Sequence, residues 1–216
     1  MIHGLNLWEL PKHTLVNRPA GVRLLFADWQ VSGIIPVMSG LPIDIVDSGA
    51  GSLYGLASAG GGARPSFVPG ATRRTATSEV PPGYYFNTLA FARPVVQAGQ
   101  LIPSSNGRAT ASAPGTDLGN VGRNVLRGPR QLNMDVSMIK RFRVSESKTI
   151  EFRTEVFNLF NHVNLANPIS DLRAVTSSGG SLDPNSGRIL NPGDFGRIVS
   201  TSNNPRIIQF ALKFNY

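Results

Sequence analysis

The chain has 216 residues, of which 41% are hydrophobic and 16% are charged, and its formal net charge is +8. Ordinary soluble domains contain about 25% charged residues, and helical bundles place many charges on their wet faces. The composition therefore disfavours a helical bundle and favours strands with one uncharged face. The chain has no cysteine, which excludes disulfides and thiolate chemistry. Its basic residues are spread over separate segments without interleaved aromatic residues, so no nucleic-acid partner is expected.

The N-terminal residues predict a short strand, with Leu5 and Leu7 on one face, that ends at Glu9-Leu10-Pro11. They contain neither the basic nor the apolar segment of a secretory signal. No run of ~18 apolar residues occurs along the chain, so no transmembrane helix is predicted. If the protein enters a membrane, we expect it to do so with strands, and its export signal to lie outside this sequence.

A second strand is predicted at 29–39, after a short amphipathic helical turn at 18–27. Val31, Ile35 and Val37 point to one face of this strand. Ile34 breaks the alternation, and Pro36 removes a donor from the ladder. Residues 42–46 are a candidate continuation of the same strand.

Two long segments, 47–130 and 162–205, are rich in Gly, Ser, Pro and Asn and show little regular pattern. Within the second segment, 195–201 is a candidate short strand. Compact soluble domains seldom contain structureless loops of this length, whereas outer-membrane barrels have long external loops. Both segments are therefore predicted as long extracellular loops.

Residues 131–144 and 149–161 predict an antiparallel hairpin, because both alternate apolar and polar side chains and only 145–148 separates them. The polar face of the hairpin contains Asp135, Glu151, Arg153 and Glu155. Carboxylates opposite each other could serve as acid and base. Since Arg153 lies between the two glutamates, an ion-paired ladder that faces a hydrated barrel lumen is the preferred interpretation.

The final segment, 206–216, is the clearest strand. Alternate positions hold large apolar or aromatic side chains: Ile208, Phe210, Leu212, Phe214 and Tyr216. Successive side chains of a strand point to opposite faces, and a tilted strand crosses a bilayer with about 9–11 residues. These five residues are therefore predicted to face the membrane. Their aromatic C-terminal end also resembles the terminal signal by which the assembly machinery recognises barrel proteins.

The directions of the strands agree with a barrel. If the C-terminus is periplasmic, the final strand runs inward, and counting back through antiparallel strands places both long loops outside. The short turn at 145–148 then lies inside. Short inner turns and long outer loops are typical of outer-membrane barrels.

Other site classes find little support. The glycine-rich segment 49–62 lacks the Gly-Lys-Ser/Thr of a phosphate loop. His3, His13 and His162 are far apart, and no Gly-x-Ser-x-Gly elbow occurs. No catalytic residue, cofactor site or metal site is predicted, and the protein is not expected to be an enzyme.

Several phrases in sequence resemble the barrel of TonB-dependent receptors, in particular the Oar-like branch. One of them, Glu155-Val156-Phe157-Asn158-Leu159-Phe160-Asn161-His162, is similar to the widespread Asn-Leu-Phe-(Asn/Asp) strand of the receptor barrel. The others lie, in the family's order, at 28–34 with 39–42, 64–70, 85–91 and 119–129, followed by the aromatic C-terminus.

This resemblance implies an all-β fold: an antiparallel transmembrane β-barrel segment of about five strands, an open sheet, with long extracellular loops. The family's barrel has about 22 strands, so residues 1–216 are expected to be the C-terminal portion of a receptor without its plug domain. Such a receptor takes up a ligand across the outer membrane of a Gram-negative-type envelope. The implied partners are outer-membrane lipid, the barrel assembly machinery, and TonB through N-terminal parts not in this sequence. A non-transport surface β module for adhesion or carbohydrate binding is the alternative, and the residues do not indicate the ligand.

Overall fold

A computed structural model describes residues 2–9, 19, 21–22, 26–49, 63–104, 107–110, 115–116 and 119–216. Its strands are β1 (Ile2–Glu9), β2 (Trp29–Met38), β3 (Pro42–Ile43), β4 (Ser66–Phe67), β5 (Phe91–Ala92), β6 (Val95–Val96), β7 (Leu101–Ser104), β8 (Gly107–Thr110), β9 (Gly115–Thr116), β10 (Leu126–Arg127), β11 (Gln131–Leu132), β12 (Asp135–Arg143), β13 (Thr149–Phe157), β14 (Ser181–Leu182), β15 (Ile189–Asn191) and β16 (Ile207–Asn215). The helices are α1 (Arg73–Thr77) and α2 (Arg173–Ser177), and Thr88–Ala90 forms a 3-10 turn. Within these ranges, no helix combines the length and hydrophobicity needed to cross a bilayer.

The chain divides into two compact units, which we name the sheet unit and the loop unit. The sheet unit comprises Met1–Ser39, Pro129–Leu165 and Thr201–Tyr216. The loop unit comprises Gly40–Gly128 and Ala166–Ser200, so two separate stretches of chain build it together. Half of the helical turn predicted at 18–27, namely 18, 20 and 23–25, lies outside the described residues.

The sheet unit is an open antiparallel sheet with the strand order β1-β2-β12-β13-β16. The predicted number of five long strands is confirmed, and the all-β, antiparallel fold class is confirmed with it. Neighbouring strands alternate in direction, so the long connections that follow β2 and β13 leave from the same end of the sheet. The short turn between β12 and β13 lies at the other end, where the Val144 N–H donates to the Lys148 carbonyl at 2.9 Å.

The strands predicted at 131–144 and 149–161 extend further from the turn than the observed β12 and β13 do. The ladder breaks at Asn133, whose N–H donates to the Pro36 carbonyl at 3.2 Å, so that β11 pairs separately with β2. The second strand ends at Phe157 because Asn158 has a φ of 53°, a left-handed conformation that asparagine tolerates better than most residues. An alternating pattern predicts which face of a strand each side chain occupies. It does not predict where the backbone leaves the ladder.

Asn158 also explains why an Asn-Leu-Phe-Asn phrase follows a strand. Its side chain is buried, and its Nδ2 donates to the carbonyls of His162 and Asn204, each at 3.0 Å. Its Oδ1 accepts from the His162 N–H at 2.8 Å. One amide side chain thus holds the end of β13 to the chain that enters β16.

The expectation of little regular structure in the long loops is wrong for their described part. Short strand pairs form there: β3 with β10, β4 with β5 and β6 with β9 join separate segments, and β7 with β8 and β14 with β15 are local hairpins. Residues 42–43 therefore pair with 126–127 and do not continue β2. The candidate strand at 195–201 is absent, because Phe195 lies in a turn and is fully buried.

The core of the loop unit is aromatic. Phe86 meets Phe91 and Phe195 edge to face, with ring centroids 5.7 and 5.2 Å apart. Aliphatic residues from both stretches of the unit surround these rings, namely Ile43, Ile45, Val121, Val125, Leu126, Leu172, Val175 and Ile189. The long loops therefore form a packed domain with its own hydrophobic centre.

An ion pair joins three segments of the loop unit. Arg64 donates to both carboxylate oxygens of Asp44, at 3.4 and 3.2 Å, and to the Gly122 carbonyl at 2.9 Å. The Asn124 N–H adds a bond of 2.5 Å to Asp44. These contacts, with the Arg64 hydrogen bond as the largest, lower the pKa of Asp44 below its ordinary value.

This lowered pKa predicts acid sensitivity. A carboxyl with a depressed pKa in the folded state stabilises that state above its unfolded pKa of about 3.9, and the contribution is lost as pH falls through the folded value. We expect amide exchange of segments 40–49 and 119–124, corrected for intrinsic rates, to accelerate as pH drops below about 4. The Asp44→Asn variant should show a shallower pH dependence. Glu79→Gln, which removes an exposed carboxylate outside the described ion pairs, should leave the dependence unchanged.

Candidate functional site

One face of the sheet is apolar and uncovered. The register of β13 and β16 places Ile150, Phe152, Thr154 and Val156 beside Phe214, Leu212, Phe210 and Ile208. Phe152 stacks on Phe210 with centroids 6.0 Å apart. The four β16 side chains are 53–74% exposed. A contiguous apolar surface of this kind marks a surface that contacts a partner or a membrane.

Lys140 is the exception on this face, and the sequence interpretation missed it. Its position in β12 places it opposite Phe152, on the apolar side, yet the residue is only 2% exposed. Its Nζ donates to the Ala27 carbonyl. It also lies 5.6 Å from the Trp29 ring centroid and 5.2 Å from that of Phe142, within the range of cation–π attraction. The charge is therefore covered, and the apolar face stays uncharged at this position.

The opposite face of the sheet is charged and ion-paired. Glu151 accepts from Arg141 and from Arg153, each at 3.1 Å, and Arg153 lies 3.8 Å from Glu155. The ion pairing predicted for Glu151, Arg153 and Glu155 is confirmed, and Arg141 extends it onto β12. Partly exposed pairs of this kind contribute about 0–1 kcal/mol each, so their main effect is to balance charge on this face.

Asp135 lies on the charged face but outside the ion-paired row. One of its oxygens accepts from Asn133 Nδ2 and from the Asn158 N–H, both at 2.9 Å. Ile34 lies opposite Asp135 in the register, so this apolar residue of β2 stands on the charged side of the sheet. Asp135 and Ile34, with Ser137, Glu155 and Phe157, line a groove of about 350 Å³ on this side.

The arrangement separates two chemical environments, an apolar face and an ion-paired face. Among the described residues, no group of three or more histidine, cysteine or carboxylate side chains is placed to hold a metal ion. His13 lies outside the described residues, and the side chain of His3 is not described. Candidate function therefore rests on the two faces of the sheet.

An apolar outer face on an antiparallel sheet is what a membrane barrel requires, and sequence comparison agrees with this geometry. Residues 4–209 match the family described as outer membrane beta barrel domain. The chain belongs to this family. An outer-membrane location follows for the barrel domain in general. No curated protein and no solved structure matches the chain.

Proposed function

We propose that this barrel domain is part of a TonB-dependent receptor of the Oar-like branch, which takes up a ligand across the outer membrane. The observation that supports the proposal is the sheet itself, with an uncovered apolar face on one side and an ion-paired face on the other. Lipid is a favourable environment for the apolar face, and a hydrated lumen is a favourable environment for the ion-paired face.

The proposal assigns the predicted residues to these environments. Ile208, Phe210, Leu212, Phe214 and Tyr216 contact lipid or the membrane interface, and Asp135, Glu151, Arg153 and Glu155 face the lumen. Phe214 and Tyr216 stack with centroids 6.1 Å apart at the end of the chain, as an aromatic girdle at an interface would. The C-terminal strand would also be the part that the barrel assembly machinery binds.

A pair of arginine substitutions in β16 tests the lipid assignment. Phe210→Arg should destabilise the membrane-inserted state by about 2–4 kcal/mol if the residue lies near the bilayer midplane, and by less near an interface. Gln209→Arg is the matched control, since it adds the same charge one residue away on the opposite face. Urea titration of the full-length receptor folded into lipid vesicles measures both values. Equal effects would mean that the faces are assigned wrongly.

Two further observations test the membrane and receptor parts separately. The expressed chain should partition into detergent, and recovery as a monodisperse soluble monomer with cooperative unfolding would overturn the membrane proposal. The coding sequence should continue upstream, in frame, with a plug domain and further strands. A complete gene with its own signal peptide and no plug would overturn the receptor proposal while leaving the barrel family intact.

A further inference from the structure

The loop unit has a groove that the sheet does not form. It lies between the β4–β5 pair and the turn that joins β14 to β15, and its volume is about 430 Å³, within the ~300–1,000 Å³ usual for small-molecule sites. Phe67, Val68, Pro69 and Pro94 form an apolar wall, and Ser186 and Arg188 lie across from them.

The turn that supplies Arg188 is held in place by its own hydrogen bonds. Both oxygens of Asp183 accept bonds within the turn, from the Asn185 N–H at 2.9 Å and the Ser186 hydroxyl at 2.5 Å. The Arg93 N–H donates to the Gly187 carbonyl at 2.9 Å, which fixes the turn to the segment that follows β5. Gly187 has a φ of +66°, and a Cβ there would lie 1.8 Å from the Arg93 carbonyl oxygen, so only glycine permits this approach. The groove is therefore largely preformed.

The charge in the groove comes from arginine alone. Arg93 and Arg188 both line it, and no carboxylate does. Arg93 is neutralised by the fully buried Asp47, to which it donates at 2.7 and 2.8 Å. The guanidinium of Arg188 has no hydrogen-bonded or ion-paired side chain among the described residues, and Asp183, the carboxylate in the same turn, is already bonded by Ser186 and Asn185. Asp183 attracts the Arg188 charge electrostatically but does not bond to it. The guanidinium donors of Arg188 therefore face the apolar wall without a hydrogen-bonded side chain among the described residues.

We propose that this groove binds a small ligand with a single carboxylate attached to an apolar, ring-containing body. The Arg188 guanidinium presents donors in the fork geometry that suits a carboxylate, and Phe67 with the two prolines packs against the body. A doubly charged phosphate would need a second free cation, which the groove does not supply because Arg93 is paired. That this ligand is also the transported one rests on the proposed receptor function, whereas the binding itself does not.

The test compares an acid with its neutral isostere. The full chain, folded in detergent micelles, is titrated with N-acetyl-L-phenylalanine, N-acetyl-L-phenylalaninamide and inorganic phosphate, with binding measured by ligand-observed NMR. We expect the acid to bind about tenfold or more tightly than the amide, the difference expected from one charge-assisted hydrogen-bonded contact. Equal binding of acid and amide would overturn the proposal, and phosphate binding as tight as the acid would overturn the choice of carboxylate.

Variants assign the effect to Arg188. Arg188→Gln should lose the preference for the acid and leave the weak binding of the amide unchanged, while Arg188→Lys should retain part of the preference. Arg197→Gln is the control, because Arg197 is an exposed arginine of the same unit that pairs with Asp194 and does not line the groove. If Arg188→Gln fails to fold, the Nε–Hε resonance of Arg188 in the wild-type chain should shift on titration with the acid. An unmoved resonance, or an undiminished preference in a folded Arg188→Gln variant, overturns the proposal. Neither result depends on the arginine scan of β16, so this inference and the membrane proposal can fail separately.

Discussion

Phe91→Ala is expected to lower the free energy of unfolding of the loop unit by about 3–5 kcal/mol, the usual range for truncating a buried phenylalanine. Phe91 is fully buried. Its ring stacks on Phe67 with centroids 5.4 Å apart and meets Phe86 and Phe195 at 5.7 and 6.1 Å. Removing the ring leaves a cavity bordered by three other rings, which cannot collapse without moving segments from both stretches of the unit.

Amide hydrogen exchange measures this loss, because it reports local stability within a larger protein. The protected amides of 86–92 and 172–178 should exchange faster in Phe91→Ala, although these segments come from different stretches of chain. Leu89→Ala is the control two residues away, since Leu89 is 47% exposed and its truncation should cost much less. A similar loss in both variants would show that the aromatic cluster is not the centre of the unit.

Asp47→Asn is expected to destabilise the same unit by about 3–5 kcal/mol, as breaking one partner of a buried ion pair does. The Asp47 side chain is 0% exposed, and that of its partner Arg93 is 19% exposed. Without the carboxylate, the guanidinium keeps its desolvation cost and loses its counter-charge. Exchange rates of the loop unit again provide the measurement.

The exposed pair of Asp194 and Arg197 is the matched control for this experiment. These residues lie 3.1 Å apart, but their side chains are 42% and 52% exposed, so Asp194→Asn should cost only about 0–1 kcal/mol. A double variant, Asp47→Leu with Arg93→Met, should recover part of the stability, because apolar residues can replace a buried pair at little cost. If Asp47→Asn and Asp194→Asn have equal effects, burial does not set the strength of the Asp47 pair.

Alternation of side chains was enough to predict the long strands and their two faces. Successive side chains of a strand point to opposite faces. Phe210 and Gln209 therefore lie on opposite sides of the sheet whichever residues β16 pairs with. The same rule placed Arg153 between Glu151 and Glu155, and the ion pairs follow from that spacing. It could not place the breaks at Asn133 and Asn158, because these depend on hydrogen bonds to residues far along the chain.

No local sequence pattern predicts the packing of the loop unit. Phe91 and Phe195 are more than 100 positions apart, and the strands around them are two to four residues long, too short to show a period. Burial of Lys140 has the same origin, since part of its cover comes from Ala27 before β2 and from Trp29 in β2. The local chain thus determines that β16 has an apolar side and a polar side, because a strand sorts neighbouring residues by itself. Contacts made only when the whole chain folds decide which distant residues become neighbours, and so whether the loops pack. Among the described residues, they also decide that Arg93 has a bonded carboxylate partner and Arg188 does not.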